Sequence, residues 1–255
     1  MATLGTAGAT RPGEPAAGSH WRLRQPLDAY SRATGSGLAT QVAAGRHLRV
    51  LDAAPPPTSG EGASPRLRAR LREDGYPCWL DRADLLQHGE PVPQPPPPRG
   101  WNRAGIEACL PAVLAFAQQA MAVPNQYLWG GSLGPNFDCS GLVQTAFAQV
   151  GIWLPRDAYL QERFCQPLAV APGQTSLLRP GDLIFFGTPR RCTHVGLHLG
   201  GGRYLHSSGL EHGRNGLGVD DLNPRNSDPV ASHYRHTLRG AGRVNHGHDG
   251  SPLPP

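Results

Sequence analysis

Cys139 opens an apolar run where a loop rich in Gly and Pro becomes a helix, a place where a thiol can be made reactive. In Asp138-Cys139-Ser140-Gly141 the N–H groups of the first turn lack helical partners and the positive end of the macrodipole faces the side chain, which favours thiolate over thiol. Leu142, Val143, Ala146, Phe147 and Val150 recur at helical spacing, with Asp138 placed to cap the start and Gly151 to stop the end. Free cysteine is also often a small buried hydrophobe, so helix position alone does not make Cys139 a nucleophile.

An activated nucleophile needs a base for its proton and a polar group that fixes the base. Downstream, Leu183-Ile184-Phe185-Phe186 reads as a buried strand after the turn Arg179-Pro180-Gly181-Asp182. A hairpin follows, with arms at residues 193–199 and 203–208 around Gly200-Gly201-Gly202. With all three glycines in the loop, Leu199 faces Arg203, Gly196 faces His206 and His194 faces Ser208. His194 and His206 then share a face as diagonal neighbours, roughly 7–8 Å apart at Cα, with a glycine leaving room between them. A loop of different parity would flip one arm and separate them. Cys139, His194 and His206 thus form a candidate nucleophile, base and orienting group.

Taken in order, Phe137-Asp138-Cys139-Ser140-Gly141-Leu142-Val143, Leu154-Pro155-Arg156-Asp157-Ala158-Tyr159, Pro180-Gly181-Asp182-Leu183 and Thr193-His194-Val195-Gly196 resemble the successive blocks of NlpC/p60-type cell-wall cysteine peptidases. The resemblance spans residues 103–244. It implies a papain-like α+β domain that hydrolyses the γ-D-glutamyl to diamino-acid bond of peptidoglycan stem peptides, with Cys139 as nucleophile, His194 as base and His206 as the third polar residue.

Upstream, residues 37–43 and 47–52 read as strands around Ala44-Gly45-Arg46, and residues 66–72 alternate arginine outward with Leu67, Ala69 and Leu71 inward. Residues 55–65 form a polar insertion expected to be mobile, and Asp74-Gly75-Tyr76-Pro77-Cys78-Trp79-Leu80 closes the unit. This order is similar to the bacterial SH3-like β-barrels that precede NlpC-type domains in cyanobacterial γ-D-glutamyl-L-diamino acid endopeptidases. That likeness implies a first-domain tyrosine reaching the cleft, matched by Tyr76, and recognition of a free N-terminal L-alanine. Asp138 becomes the partner for its ammonium group, with Ser140, Arg156 and Asp157 as further substrate-binding candidates, and the role becomes recycling of released stem peptides.

The expected layout is a disordered N-terminus over 1–19, a small SH3-like β-barrel over 20–88, a proline-rich linker over 89–102, the peptidase domain over 103–244 and a loose tail over 245–255. Within the peptidase domain, residues 103–121 read as a helix with Pro111 near its start and Leu110, Val113, Leu114, Ala117 and Met121 inward.

Composition narrows the alternatives. The 255 residues suffice for two modest domains. No apolar run looks long enough to cross a bilayer, and residues 1–19 lack a basic start followed by an apolar core, so a cytoplasmic location with no membrane partner is expected. Five cysteines cannot all pair and show no scaffold spacing, which suggests reduced thiols. Cys192 lies near His194 but beside a strand, so it is a second thiol and not the nucleophile. Every basic residue except histidine is arginine, at a formal charge of +5; arginine suits acidic peptides, while its scatter without an aromatic-interleaved stripe argues against nucleic acid. His194 and His198 on one strand stand about 13 Å apart, too far to share an ion. With His246 and His248 assigned to the tail, no metal or cofactor is expected. A non-catalytic wall-peptide binder and a cysteine amidase or acyltransferase using another acyl donor remain the competing classes.

Overall fold

Strict alternation of burial builds the first half of the chain: in β5, Leu67, Ala69 and Leu71 are fully buried while the arginines between them face outward. The computed structural model describes residues 13–52 and 65–252. The strands are β1 (His20–Leu23), β2 (Leu27–Tyr30), β3 (Leu38–Val42), β4 (His47–Asp52), β5 (Arg66–Leu71), β6 (Pro77–Asp81) and β7 (Gly89–Val92), with helix α1 (Arg82–His88) before the last. They make one sheet, ordered β3-β2-β6-β5-β4-β1-β7, around Trp21, Leu48, Val50, Leu67, Leu71, Leu80 and Leu85. The expected insertion at 55–65 falls outside the described residues except for Pro65.

Two boundaries differ from expectation. The linker does not begin at 89, because β7 pairs with β1 and places Pro91 opposite Trp21. As the outermost strand, β7 tolerates the missing proline N–H. At the other end, residues 13–19 are not loose: Gly18 N–H donates to the Val50 carbonyl (2.8 Å) and Val50 N–H to the Ser19 carbonyl (2.9 Å).

The second half contains α2 (Arg103–Met121), β8 (Ser132–Leu133), β9 (Asn136–Phe137), α3 (Cys139–Ala148), α4 (Ala158–Phe164), β10 (Gln166–Leu168), β11 (Leu183–Gly187), β12 (Cys192–Gly200), β13 (Arg203–Ser208), β14 (Gly216–Asp221), α5 (Pro229–His236) and β15 (Leu238–Arg243). Six of these strands form an antiparallel sheet, β10-β15-β11-β12-β13-β14. Helix α3 lies across β12 and β13 and buries Leu142, Val143, Ala146 and Phe147 in a core shared with Val195, Leu197 and Leu205. The result is an α+β domain behind a small SH3-like β domain.

Helix α2 matches its expected bounds, but Pro111 lies inside it. Asn102 caps the start by accepting the Gly105 N–H (2.9 Å), and Pro111 sits on the exposed side. With 19 residues and a mean hydropathy of 1.2 over its most apolar 18-residue window, α2 is also long and apolar enough to cross a bilayer by length and composition, contrary to the sequence reading. In this fold it packs on α3 through Ile106, Val113 and Ala117.

Nor is the tail loose through residue 252. His248 N–H donates to the Trp153 carbonyl (2.8 Å), and the His246 and His248 rings lie 4.2 and 5.8 Å from Phe164. Gly250 passes so close to the Arg72 carbonyl that a Cβ there would collide with it, so this segment joins both domains. Its polar composition concealed the aromatic faces it covers.

The interface between domains is polar and buried. Arg46 lies 4.4 Å over the Trp153 ring and pairs with Glu73 (3.1 Å) and Asp74 (2.9 Å). Asp74 also accepts from Gln144 Nε2 on α3 (2.8 Å). Replacing Asp74 with alanine leaves the buried Arg46 guanidinium with Glu73 alone and takes the acceptor from Gln144, and an Asp74→Ala variant should lose about 3 kcal/mol in denaturant titrations. Glu90→Ala, at the half-exposed pair with Arg22, should change stability by less than about 1 kcal/mol.

Candidate active site

Asp138 caps α3 as expected, its Oδ1 accepting the Gly141 N–H (2.6 Å). A Cβ on Gly141 would collide with the Gly131 carbonyl, which the glycine allows to pack on the first helical turn. Cys139 follows, only 6% exposed, at the floor of a cleft of about 620 Å³. The backbone N–H groups of Val195 and Ser140 favour its thiolate, yet burial, reinforced by the Asp138 carboxylate, pushes the thiol up to about 12. Helix position alone suggested the opposite. Desolvation outweighs the dipole, and the resting group is a thiol.

Val195, whose N–H faces that thiol, directly follows His194. The hairpin pairs Leu197 with Leu205 and His198 with Tyr204. Continued along the strands, this register sets Gly196 opposite His206 and His194 opposite Ser208, as the sequence predicts. Only the tip differs, where a bulge pairs Gly200, in place of Leu199, with Arg203. His194 Nε2 lies 2.8 Å from His206 Nδ1, and His206 Nε2 lies 2.6 Å from Asp220 Oδ2.

These distances assign the protons. A carboxylate can only accept, so His206 Nε2–H donates to Asp220 and its Nδ1 must accept from His194 Nε2–H. That leaves Nδ1 of His194 as the free lone pair, the form a general base requires. Burial, followed by the charges of neighbouring histidines, holds His194 well below the usual imidazole range. Burial also lowers His206, opposed by Asp220.

Asp220, Arg214 and Tyr234 were not recognised from sequence. Arg214 Nη2 donates to both Asp220 oxygens at 2.8 Å, and the Tyr234 ring stacks on His194 at 4.2 Å. The signal for Asp220 was the alternation Gly216, Gly218, Asp220 on β14: Gly218 pairs with His206, and Asp220 reaches it diagonally.

The proposed substrate residues divide into two groups. Arg156 is buried; Nη1 binds Asp138 Oδ1 (3.0 Å) and Ser140 Oγ (3.0 Å), and Nη2 binds Asp138 Oδ2 (2.6 Å). Its Nε donates to Thr40 Oγ1 (2.9 Å) on the first domain. Asp138 takes a further bond from the Gly130 N–H (2.9 Å). Asp138, Arg156 and Ser140 also line the cleft, but they spend much of their hydrogen-bonding capacity on one another. Asp157 differs. It lines the cleft, accepts from the Tyr76 hydroxyl (3.3 Å), and burial raises its carboxyl despite Arg156 nearby. Tyr76 lines the cleft beside it, with Ser31, Leu38 and Ala39 of the same domain.

Cys192 also lines the cleft, but its thiol donates to the His194 carbonyl (3.3 Å) and burial pushes it up to about 12. His198 is used by the hairpin: Nδ1–H donates to the Arg179 carbonyl (2.9 Å) and Nε2 accepts the Gly202 N–H (3.2 Å).

Residues 124–237 match the NlpC/P60 family, and residues 30–85 match the bacterial dipeptidyl-peptidase Sh3 domain. The chain carries an NlpC/P60 domain behind a bacterial SH3 domain. NlpC/P60 members are cysteine peptidases acting on peptidoglycan peptides. The chain is similar to the bifunctional muramidase/DL-endopeptidase CwlT of Bacillus subtilis, with 42% identity over 92 residues, 34% of this chain and 26% of that protein. It is also similar to the gamma-DL-glutamyl hydrolase of Bacillus subtilis, with 37% identity over 103 residues, 39% of this chain and 23% of that protein. The chain thus spans between 23% and 26% of the length of these curated relatives. An NlpC/P60 family protein from Bacillus cereus ATCC 10987 aligns with 90% of this chain and 64% of its own at 22% identity, with a TM-score of 0.42.

In this NlpC/P60 domain burial drives both the Cys139 thiol and the His194 ring toward their neutral forms and away from a preformed ion pair. Iodoacetamide labelling of Cys139, followed by peptide mass mapping, should therefore be slow at neutral pH and rise about tenfold per pH unit toward pH 10, in step with the thiolate fraction. A rate that levels off near neutral pH would identify a thiolate–imidazolium pair instead.

Proposed function

We propose that this chain is a cysteine endopeptidase that cleaves the γ-D-glutamyl to diamino-acid bond of stem peptides bearing a free N-terminal L-alanine, in cytoplasmic recycling of wall fragments. The observation that carries this reading is the Asp157 carboxylate, held by Tyr76 of the first domain in the same cleft as Cys139. A buried carboxylate whose nearby donors are the tyrosine hydroxyls of Tyr76 and Tyr159 gains most from a cationic ligand, and the alanyl ammonium is such a group. Both Bacillus subtilis relatives are named for DL bonds, one for glutamyl hydrolysis, in agreement with the linkage.

His194 Nδ1 takes the proton of Cys139 as sulfur attacks the γ-carbonyl, and N–H groups at the start of α3 receive the oxyanion. The imidazolium returns its proton to the departing amine as the C–N bond breaks. Water, deprotonated by His194, then opens the thioester, and the proton passes back to the Cys139 thiol. Asp220 stays ionised throughout; His206 and Arg214 hold its carboxyl below the usual range in spite of burial.

The first domain walls one side of the cleft and leaves a short free peptide as the best-fitting substrate. L-Ala-γ-D-Glu-diaminopimelate should be cut at the γ-bond, as read by mass spectrometry, while its N-acetylated form loses about tenfold to hundredfold in kcat/KM through loss of one charge-assisted contact. Asp157→Asn should abolish that preference, because the amide no longer distinguishes ammonium from acetamide. Digestion of intact peptidoglycan as readily as the free tripeptide would favour a wall-lytic enzyme instead.

A further inference from the structure

Four charged side chains line the catalytic cleft: Asp138, Arg156, Asp157 and Arg191. The first two neutralise each other. Asp157 is assigned above to an ammonium group, which leaves Arg191 as the remaining cation. Its backbone closes a tight turn with Thr188, through Arg191 N–H to the Thr188 carbonyl (3.2 Å) and Thr188 N–H to the Arg191 carbonyl (3.0 Å). Its guanidinium lies 4.1 Å from the centre of the Tyr159 ring. Among the described residues its guanidinium makes no salt bridge within 4 Å and no hydrogen bond, although its charge is felt by Asp157 and Tyr159. Stacking fixes the plane of the fork and leaves its N–H edge available, the arrangement that receives a carboxylate in bidentate fashion.

We infer that Arg191, braced by Tyr159, binds the free α-carboxylate of the glutamyl residue and so makes the enzyme selective for γ-linked, unamidated substrate. This rests on the γ-D-glutamyl reading above. A glutamate joined through its side chain keeps its α-carboxylate free, branching from Cα between the alanyl ammonium and the scissile γ-carbonyl. The cleft holds both complementary charges. Asp157 and Tyr159 open α4, with Arg191 over the ring of Tyr159, and the chain continues from Arg191 into β12, which carries His194. An α-linked glutamate would carry its carboxylate at the end of the side chain, away from this cation.

The test compares L-Ala-γ-D-Glu-diaminopimelate with the same tripeptide carrying an α-carboxamide, D-isoglutamine, at the second position. A third substrate is amidated only on the diaminopimelate. Wild type should favour the free acid over the isoglutamine form by about tenfold to hundredfold in kcat/KM, the range expected for one charge-assisted contact. Arg191→Gln should bring that ratio close to one, and Arg191→Lys should restore part of it. Because the readout is a ratio, loss of folded enzyme cannot imitate the result. If wild type cuts acid and isoglutamine substrates equally, or Arg191→Gln keeps the wild-type ratio, the inference fails while the γ-glutamyl reading stands. If the effect of Arg191→Gln follows diaminopimelate amidation instead, the carboxylate has been misassigned and the inference fails. If wild type cuts none of the three, the functional reading falls and the inference with it.

Discussion

Beneath Cys139, the guanidinium of Arg156 grips the carboxylate of Asp138, and the rest of the site depends on that contact. The two side chains are only 1% and 10% exposed, so neither charge has water to fall back on. Every polar atom is used: Asp138 caps α3 and receives Gly130, while Arg156 spans Ser140 and Thr40. Buried pairs of this kind contribute little net stability compared with an apolar replacement, yet losing one partner costs about 3–5 kcal/mol. The pair fixes the position of the first turn of α3, and with it Cys139 and the N–H groups of that turn.

Burial also sets the protonation states. The thiol of Cys139 and the ring of His194 are both driven toward neutrality by desolvation, which disfavours a thiolate–imidazolium pair in the resting site. His206 and Asp220 convert this neutrality into direction. They fix which nitrogen of His194 carries the proton, while Tyr234 fixes the plane of its ring.

Local patterns made much of this legible. The α3 helix, its Asp138 cap, the β5 alternation and the hairpin register are all governed by periods of a few residues, and the sequence states such periods directly. What it concealed depends on partners far along the chain. Arg156, the cation that pairs with Asp138, comes from another loop. Asp220 reaches His206 from a neighbouring strand. The polar tail gave no hint of Phe164 and Trp153, and Pro111, usually a sign of a helix start, was displaced by a better cap at Asn102. The thiol shift escaped for the same reason, since dipole and capping are local whereas burial belongs to the completed fold.

The bond from Arg156 to Thr40 crosses between the domains and ends on a single hydroxyl. An otherwise exchangeable module therefore contributes one acceptor to the inner shell of its neighbour. Recombination that replaced the first domain would have to bring a hydroxyl to the same point in space or leave a guanidinium donor facing nothing. The two folds can vary in their loops and outer surfaces, but at Thr40 a change in the first domain is felt directly by the buried guanidinium of the second.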